Sequence, residues 1–501
     1  MASIEDVEWA ITQYKPSERI RKYDLYWNYY DGNQRLAFAT DKFRESFGSL
    51  FREFAENACP AVVDSLVDRL KLMGFRSSQS TQKTINIPAL IPNSPPRKRI
   101  ATSDPVGQSA WDLWTRNYMD LRSKEVHREA TLMGDSYVIV WPNEKSGHAE
   151  IWPQLANEMS VQYDPNNQGE IYRACKRWFD PISKVWRLNV FTIDAVCKYE
   201  SRKNSVNFPE QATDFVLTDH MPNIYSRIPV FHFARGYENR FGRSDLKDVI
   251  PIQDALNKAV MDMLIAMEYA SFKQRYIIGM EVEIDEETGQ PRDATTKNYG
   301  VDRLMAIPNE DAKVGQFDST DLGQFLHVQE KFWASIARVS GTPLHYFFIT
   351  TGDFPSGEAQ KAAEARFSTR IEDSQVAWGN VWESVIEFAL EVETGEYQED
   401  LEFSAIWSNP TPRSEAELAD TAIKKKSIGF SRSYLLKEFG LSDKEVDEML
   451  AETDAEAMQK VSLDLLSNPQ NPDQQGQAPV VGNKIPSNSQ PTGENTRGVK
   501  Q

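Results

Sequence analysis

The chain has 501 residues, with 56 Lys and Arg against 74 Asp and Glu, so its net charge is −18. That length exceeds one ordinary core and predicts roughly two to four structural units. The acidic balance excludes a freestanding basic domain that reads DNA sequence. Three cysteines, Cys59, Cys175 and Cys197, fit no zinc-ligand spacing and predict reduced, buried thiols. The start, MASIEDVEW, lacks the basic-then-apolar order of a signal peptide. No apolar run of about 18 residues occurs, so no membrane span is expected.

Residues 1–75 read as helical. Tyr23, Tyr26, Trp27 and Tyr30 recur at helical spacing, as do Phe43, Phe47, Leu50, Phe51 and Phe54. Val63, Leu66, Val67 and Leu70 resume the pattern after Pro60. Residues 76–106 are rich in Ser, Pro, Asn and Thr and read as a loop or linker, with a basic cluster at Pro95–Arg99. Trp111, Trp114, Tyr118 and Leu121 predict one amphipathic helix ending near Gly134. His127 in it is read as a surface position. Short strand-like runs then follow: Ser136–Trp141, Ala149–Trp152, Met159–Tyr163, Ile171–Phe179, Val185–Phe191, Ala195–Tyr199 and Pro229–Phe233. His232, in the last of them, is expected to be a strand residue with an ordinary partner.

Helices return at Pro251, a residue suited to a first helical turn. Ile252, Leu256, Val260, Met263, Leu264 and Met267 form one face. Leu322, Phe325, Leu326, Phe332, Trp333 and Ile336 form a second face that stops at Gly341. Between them lies an acidic strand-and-turn insert, 280–318, so the pattern is a helical hairpin with a small domain at its tip. Residues 344–356 read as an aromatic loop. From Ser356, a plausible N-cap, Ala359 to Ala389 keep helical spacing, with Gly379 a candidate kink. Strand-like Leu401–Trp407 precedes helices at about 414–427, 431–439 and 442–466. Residues 467–501 carry almost no large apolar side chain and are expected to be disordered.

The motifs of common catalysis are missing. There is no G-x-x-x-x-G-K-[ST] phosphate loop, no G-x-G-x-x-G after a strand and no G-x-S-x-G elbow. His127-Arg128-Glu129 matches half of a zinc-deaminase signature without its Pro-Cys-x-x-Cys. No histidine pair has metal-ligand spacing. The expectation is a non-enzyme with no cofactor and no metal.

Three segments add a resemblance. YYDGNQRLAF at 29–38 with NACPAVVDSLVDRLKLMGF at 57–75 resembles the N-terminal region of siphophage portal proteins of the type found in phages of actinobacteria. So does GRSDLKDVIPIQDALNKAVMDMLIAMEYASFKQRYIIG at 242–279. The third is IARVSGTPLHYFF at 336–348, running into PSGEAQKAAEARF at 355–367 and WGNVWE at 378–383. The matches keep the family's order from about residue 20 to 410.

The resemblance implies an α+β portal fold with these parts. The wing is 1–250, N-terminal helices plus a β-rich unit at 134–235. Stem helices are 251–272 and 321–340, around a clip at 273–320. The tunnel loop is 341–356. The long helix and return strand are 357–410, the crown 411–466, and the tail 467–501. It further implies a homo-oligomeric ring, typically of twelve copies, at one capsid vertex. Double-stranded DNA would pass through it without base readout. Partners would be the large terminase, a head–tail adaptor, and the major capsid and scaffolding proteins, with no membrane. The candidate DNA-channel residues are Thr350, Thr351, Gly352, Asp353, Phe354 and Pro355. The candidate docking residues are Glu281, Glu283, Asp285, Glu286 and Glu287. Two other readings remain open from sequence: a metal-dependent nuclease, and a different capsid or tail structural protein.

Overall fold

The computed structural model describes residues 4–14, 18–34, 56–87, 97–167, 169–236, 241–271, 275–278, 305–307, 313–316, 323–347, 357–411, 415–439 and 441, with scattered positions from 445 to 459. The chain divides into two units, 1–83 with 102–442 and 84–101 with 443–501. Three apolar cores lie in the first. The expected aromatic run Phe43–Phe54 and the tail 467–501 fall outside the described residues.

Two short helices open the chain, Ile4–Tyr14 (α1) and Glu18–Tyr30 (α2). Cys59–Val67 (α3) starts with Pro60 in its first turn, where a missing N–H costs nothing. Leu72–Ser77 (β1) is a strand where the end of 1–75 was expected to be helical, and the stretch read as a loop, 76–106, carries Thr81–Ile87 (β2) and Arg97–Ser103 (β3). β2 and β3 pair with each other. β1 pairs with a strand near the other end of the chain, Phe403–Trp407, so no local alternation announces it.

The single helix expected to end at Gly134 is two, Pro105–Arg116 (α4) and Met119–Met133 (α5). The cause is Asn117. Its amide donates to the Leu113 and Ala149 carbonyls at 3.0 and 3.1 Å and accepts from Ile151 N–H at 3.0 Å. That pins the chain to a strand and turns Tyr118 to φ 56°, with Tyr118 and Leu121 left exposed.

The β-rich region forms two sheets. One is a three-stranded sheet of Asp135–Pro142 (β4), Ala149–Gln154 (β5) and Val230–Ala234 (β11), ordered β11-β4-β5. The other is an antiparallel meander of Met159–Tyr163 (β6), Ile171–Asp180 (β7), Val185–Phe191 (β8), Ala195–Ser201 (β9) and Phe215–Pro222 (β10). β10 was not expected from the sequence; its side chains are largely exposed, as suits an edge strand. Val7, Ala10, Ile11 and Tyr14 of α1 pack on Cys175, Leu188 and Val190 of the meander. The three cysteines are free and buried, as their spacing implies.

Asp135 ties four elements together. It accepts from Tyr23 of α2 at 2.7 Å and from the Gly242 N–H at 2.7 Å, and His232 Nε2 of β11 lies 2.9 Å away. Tyr163 of β6 bonds the other ring nitrogen at 2.7 Å. The two backbones meet here so closely that a Cβ on Gly242 would lie 1.6 Å from the Gly134 oxygen, so only glycine fits.

Ile250–Ser271 (α6) and Gly323–Ser340 (α7) pack against each other as the expected hairpin. Within its span, Arg275–Ile278 (β12), Met305–Ile307 (β13) and Lys313–Gln316 (β14) form a mixed three-stranded sheet, ordered β13-β12-β14. Gly357–Thr394 (α8) is a 38-residue helix. It runs unbroken through Gly379, where a Cβ would come within 3.1 Å of Trp407 Nε1. Strand Phe403–Trp407 (β15) and helices Glu415–Ser427 (α9) and Arg432–Glu438 (α10) follow.

His127 is not on the surface: it is fully buried on α5, stacked on Trp378 of α8 with ring centroids 5.1 Å apart. Trp382 Nε1 donates to its Nε2 at 2.9 Å. Burial drives its pKa down to about 3, so it folds as the neutral ring. This contribution is whole above the unfolded histidine pKa and is lost as pH falls from about 6.5 toward 3. Glu129, two residues on, has the opposite sign. Burial raises its pKa to about 7, against the N–H of Ala156 that donates to it at 3.1 Å. Its protonated form is favoured on folding, so stability falls as pH rises from about 4.5 through 7. Glu129→Gln keeps the acceptor for Ala156. Urea unfolding across pH 5–8 should therefore show it gaining over the wild type above pH 7, by up to roughly 3 kcal/mol, with the gap closing at pH 5. A gap independent of pH would contradict the assignment.

Candidate functional site at the end of the hairpin

The six residues Thr350–Pro355 and the five acidic residues Glu281, Glu283, Asp285, Glu286 and Glu287 all lie outside the described residues. The structure does describe what flanks both groups. The acidic group sits in sequence between β12 and β13. The loop sits between the end of α7 and the start of α8.

Gly341, at φ 70°, turns the chain out of α7. Thr342 is buried, a single 3-10 turn covers Leu344–Tyr346, and Phe347 packs on Trp333 of α7 at 5.5 Å between centroids. Tyr346 packs on Phe367 of α8 at 5.6 Å. Arg69 lies over both rings, at 5.3 and 5.4 Å. It also pairs with Glu364 of α8 at 3.3 Å, donates to the Pro410 carbonyl at 3.1 Å and bonds the Tyr346 hydroxyl. His345 Nε2 stands 3.1 Å from the second oxygen of Glu364. A nearly buried carboxylate thus has two basic partners, the condition under which a buried charge is tolerated.

One turn further along α8 a second clamp forms. Arg370 pairs with Asp245 at 2.8 Å and bonds the Ser340 carbonyl, the last residue of α7. Arg366 donates to the Arg338 carbonyl at 3.3 Å, so both guanidiniums satisfy carbonyls left over at a helix C-terminus. Asp245 also pairs with Arg235 at 3.2 Å, and Arg235 bonds Ser374. Burial lowers the Arg370 pKa, Asp245 opposes that, and the charges of Arg235 and Arg366 add to it.

The chain before residue 348 and α8 from Glu364 onward are therefore both fixed. None of these anchors was found by sequence reasoning. Glu364, Arg366 and Arg370 sit on the helix face beside Phe367 and Ile371, which is a weak signal. Their partners Arg69, Asp245 and His345 are scattered, so no spacing could reveal them. Among the described residues no group of three or more His, Cys, Asp or Glu could hold a metal ion.

The family model described as "Phage portal protein, SPP1 Gp6-like" matches residues 80–459. A protein named "Portal protein" from Mycobacterium phage L5 is 23% identical over 381 residues, covering 73% of this chain and 76% of that one. The protein of the same name from Mycobacterium phage D29 is 24% identical over the same shares. A chain in the neck of an empty gene transfer agent particle aligns with a TM-score of 0.43 at 15% identity, over 79% of this chain and 94% of that one.

Replacing Arg69 by alanine leaves Glu364 buried with His345 alone. The expected cost is roughly 3 kcal/mol in urea unfolding, with faster proteolysis between residues 341 and 356. A loss below about 0.5 kcal/mol, the range of an ordinary surface change, would show that Arg69 is not an anchor.

Proposed function

The chain belongs to the SPP1 Gp6-like family of phage portal proteins and is a structural portal subunit, and on that premise we propose how its parts work. Copies close into a ring, of about twelve, at one vertex of the capsid. Double-stranded DNA enters through the ring during packaging and leaves through it at infection. The subunit has no catalysis of its own; a separate terminase motor supplies the ATP hydrolysis. It assembles in the host cytoplasm with scaffolding and major capsid proteins.

One observation carries this reading: the family match runs in one piece through the hairpin, the insert and α8. A second supports it. Toward the insert the hairpin leaves apolar side chains exposed, Leu326 at 53% and Val328 at 42%. Neighbouring copies can bury them through a heterologous contact that closes when the rotation fits. The surplus of acids fits a conduit as well, because dense Lys and Arg contacts would grip the duplex.

In this reading residues 350–355 touch the DNA backbone sterically, without base contacts. The acidic residues of the insert, from Glu281 to Glu287, dock terminase and adaptor. Electron microscopy and light scattering of the purified chain should give closed rings with a central channel, near twelve copies. Shells or tubes would point to another structural role, and a monomer that cleaves DNA with Mg²⁺ to a nuclease. The double substitution Asp353→Ala and Phe354→Ala should leave the rings intact and lower packaging. Unchanged packaging would remove the channel role of the loop.

A further inference from the structure

Beside the second clamp lies an open cleft of about 460 Å³, bounded by the end of α7, the first half of α8 and the stretch from Ala234 to Asp248. Four arginines, Arg235, Arg243, Arg366 and Arg370, line it against three aspartates, Asp245, Asp248 and Asp373, and Asp245 pairs with both Arg235 and Arg370. Arg243 is paired separately with Asp248. Arg366 is exposed, and among the described residues it has no carboxylate partner, only the Arg338 carbonyl. In a chain with 74 acids and 56 bases, a guanidinium without a carboxylate is against the composition.

We propose that this cleft takes a carboxylate side chain from a second copy of the chain, with Arg366 as its principal partner; this rests on the ring reading above. The occupant follows from three observations. The cleft can admit a side chain, and a guanidinium offers a planar pair of donors that matches a carboxylate. Asp248 and Asp373 also line the cleft, which disfavours a phosphate backbone with its row of charges but tolerates a single carboxylate placed against arginine. Apolar neighbours stand ready to be covered: Val339 lines the cleft at 39% exposure, and Val376, one turn beyond Asp373, is 67% exposed. Each copy presents the same acidic surface, so one head-to-tail contact repeated round a ring fills every cleft. The contact would also fix the junction of α7 and α8 from outside, next to the points where the loop leaves and returns.

The test is assembly of the full chain, followed by sedimentation velocity and mass photometry at graded NaCl. Arg366→Gln keeps an N–H donor for the Arg338 carbonyl and should melt close to the wild type, while Arg366→Glu loses that bond, so both are compared at temperatures where circular dichroism shows the chain fully folded. Both should raise the concentration needed for half assembly, by about tenfold or more for the charge reversal. Rising salt should open wild-type rings and affect Arg366→Gln less. Wild-type rings matched by equally stable Arg366→Glu rings would overturn the proposal alone. So would intact variant rings that retain less double-stranded DNA, which would make the cleft a phosphate site. A wild-type chain that never assembles would remove the ring reading, and this proposal with it.

Discussion

Two indole N–H groups in the middle of α8 decide where that helix lies. Trp378 donates to the Ala234 carbonyl at the end of β11, at 3.1 Å, and Trp382 donates to His127 of α5, at 2.9 Å. Both indoles are buried, so each N–H left without an acceptor would cost free energy on the order of 1–3 kcal/mol. Each large ring also buries apolar area that no smaller residue could replace without a cavity. The pair locks both the depth and the rotation of α8 against the three-stranded sheet. Phe367, Ile371, Val385, Ile386, Phe388 and Ala389 are then brought into the same core.

With its second half fixed in this way, the first half of α8 becomes an arm. Its polar face meets the end of the hairpin through Glu364, Arg366 and Arg370, and every contact there is a charge-assisted bond. The chain that leaves α7 at Gly341 is held on both sides, by Trp333 through Phe347 and by Phe367 through Tyr346. Residues 345–347 and the stretch of α8 from Glu364 onward are thus both tied to the core.

Much of this was legible in the sequence, for a definite reason. The hairpin helices and α8 carry long one-faced apolar patterns, and their ends lie within a few residues of the observed ones. The seven strand runs with clear alternation were found as well. The misses share a physical cause: they depend on partners far along the chain. β1 is a strand because β15 is there to pair with it. α4 and α5 part at Asn117 because the side chain there bonds a strand as well as the last turn of α4. His127 looked like a surface residue because Trp382, which donates to it, lies 255 positions away. The arginine and carboxylate clamp was invisible for the same reason. The family resemblance, by contrast, rested on contiguous segments, and a family match over residues 80–459 bears it out.

The central claim is that α8 is one stiff member from the core to the loop. Native-state hydrogen exchange, followed by mass spectrometry on the assembled protein, tests it directly. The account predicts that amides from Phe367 to Ala389 exchange together, at rates set by global unfolding, with protection beginning abruptly near Glu364. Exchange in residues 364–374 as fast as in a frayed helix end, while 378–389 stay protected, would contradict it: the clamp would not hold, and the loop would hang from a loose tip.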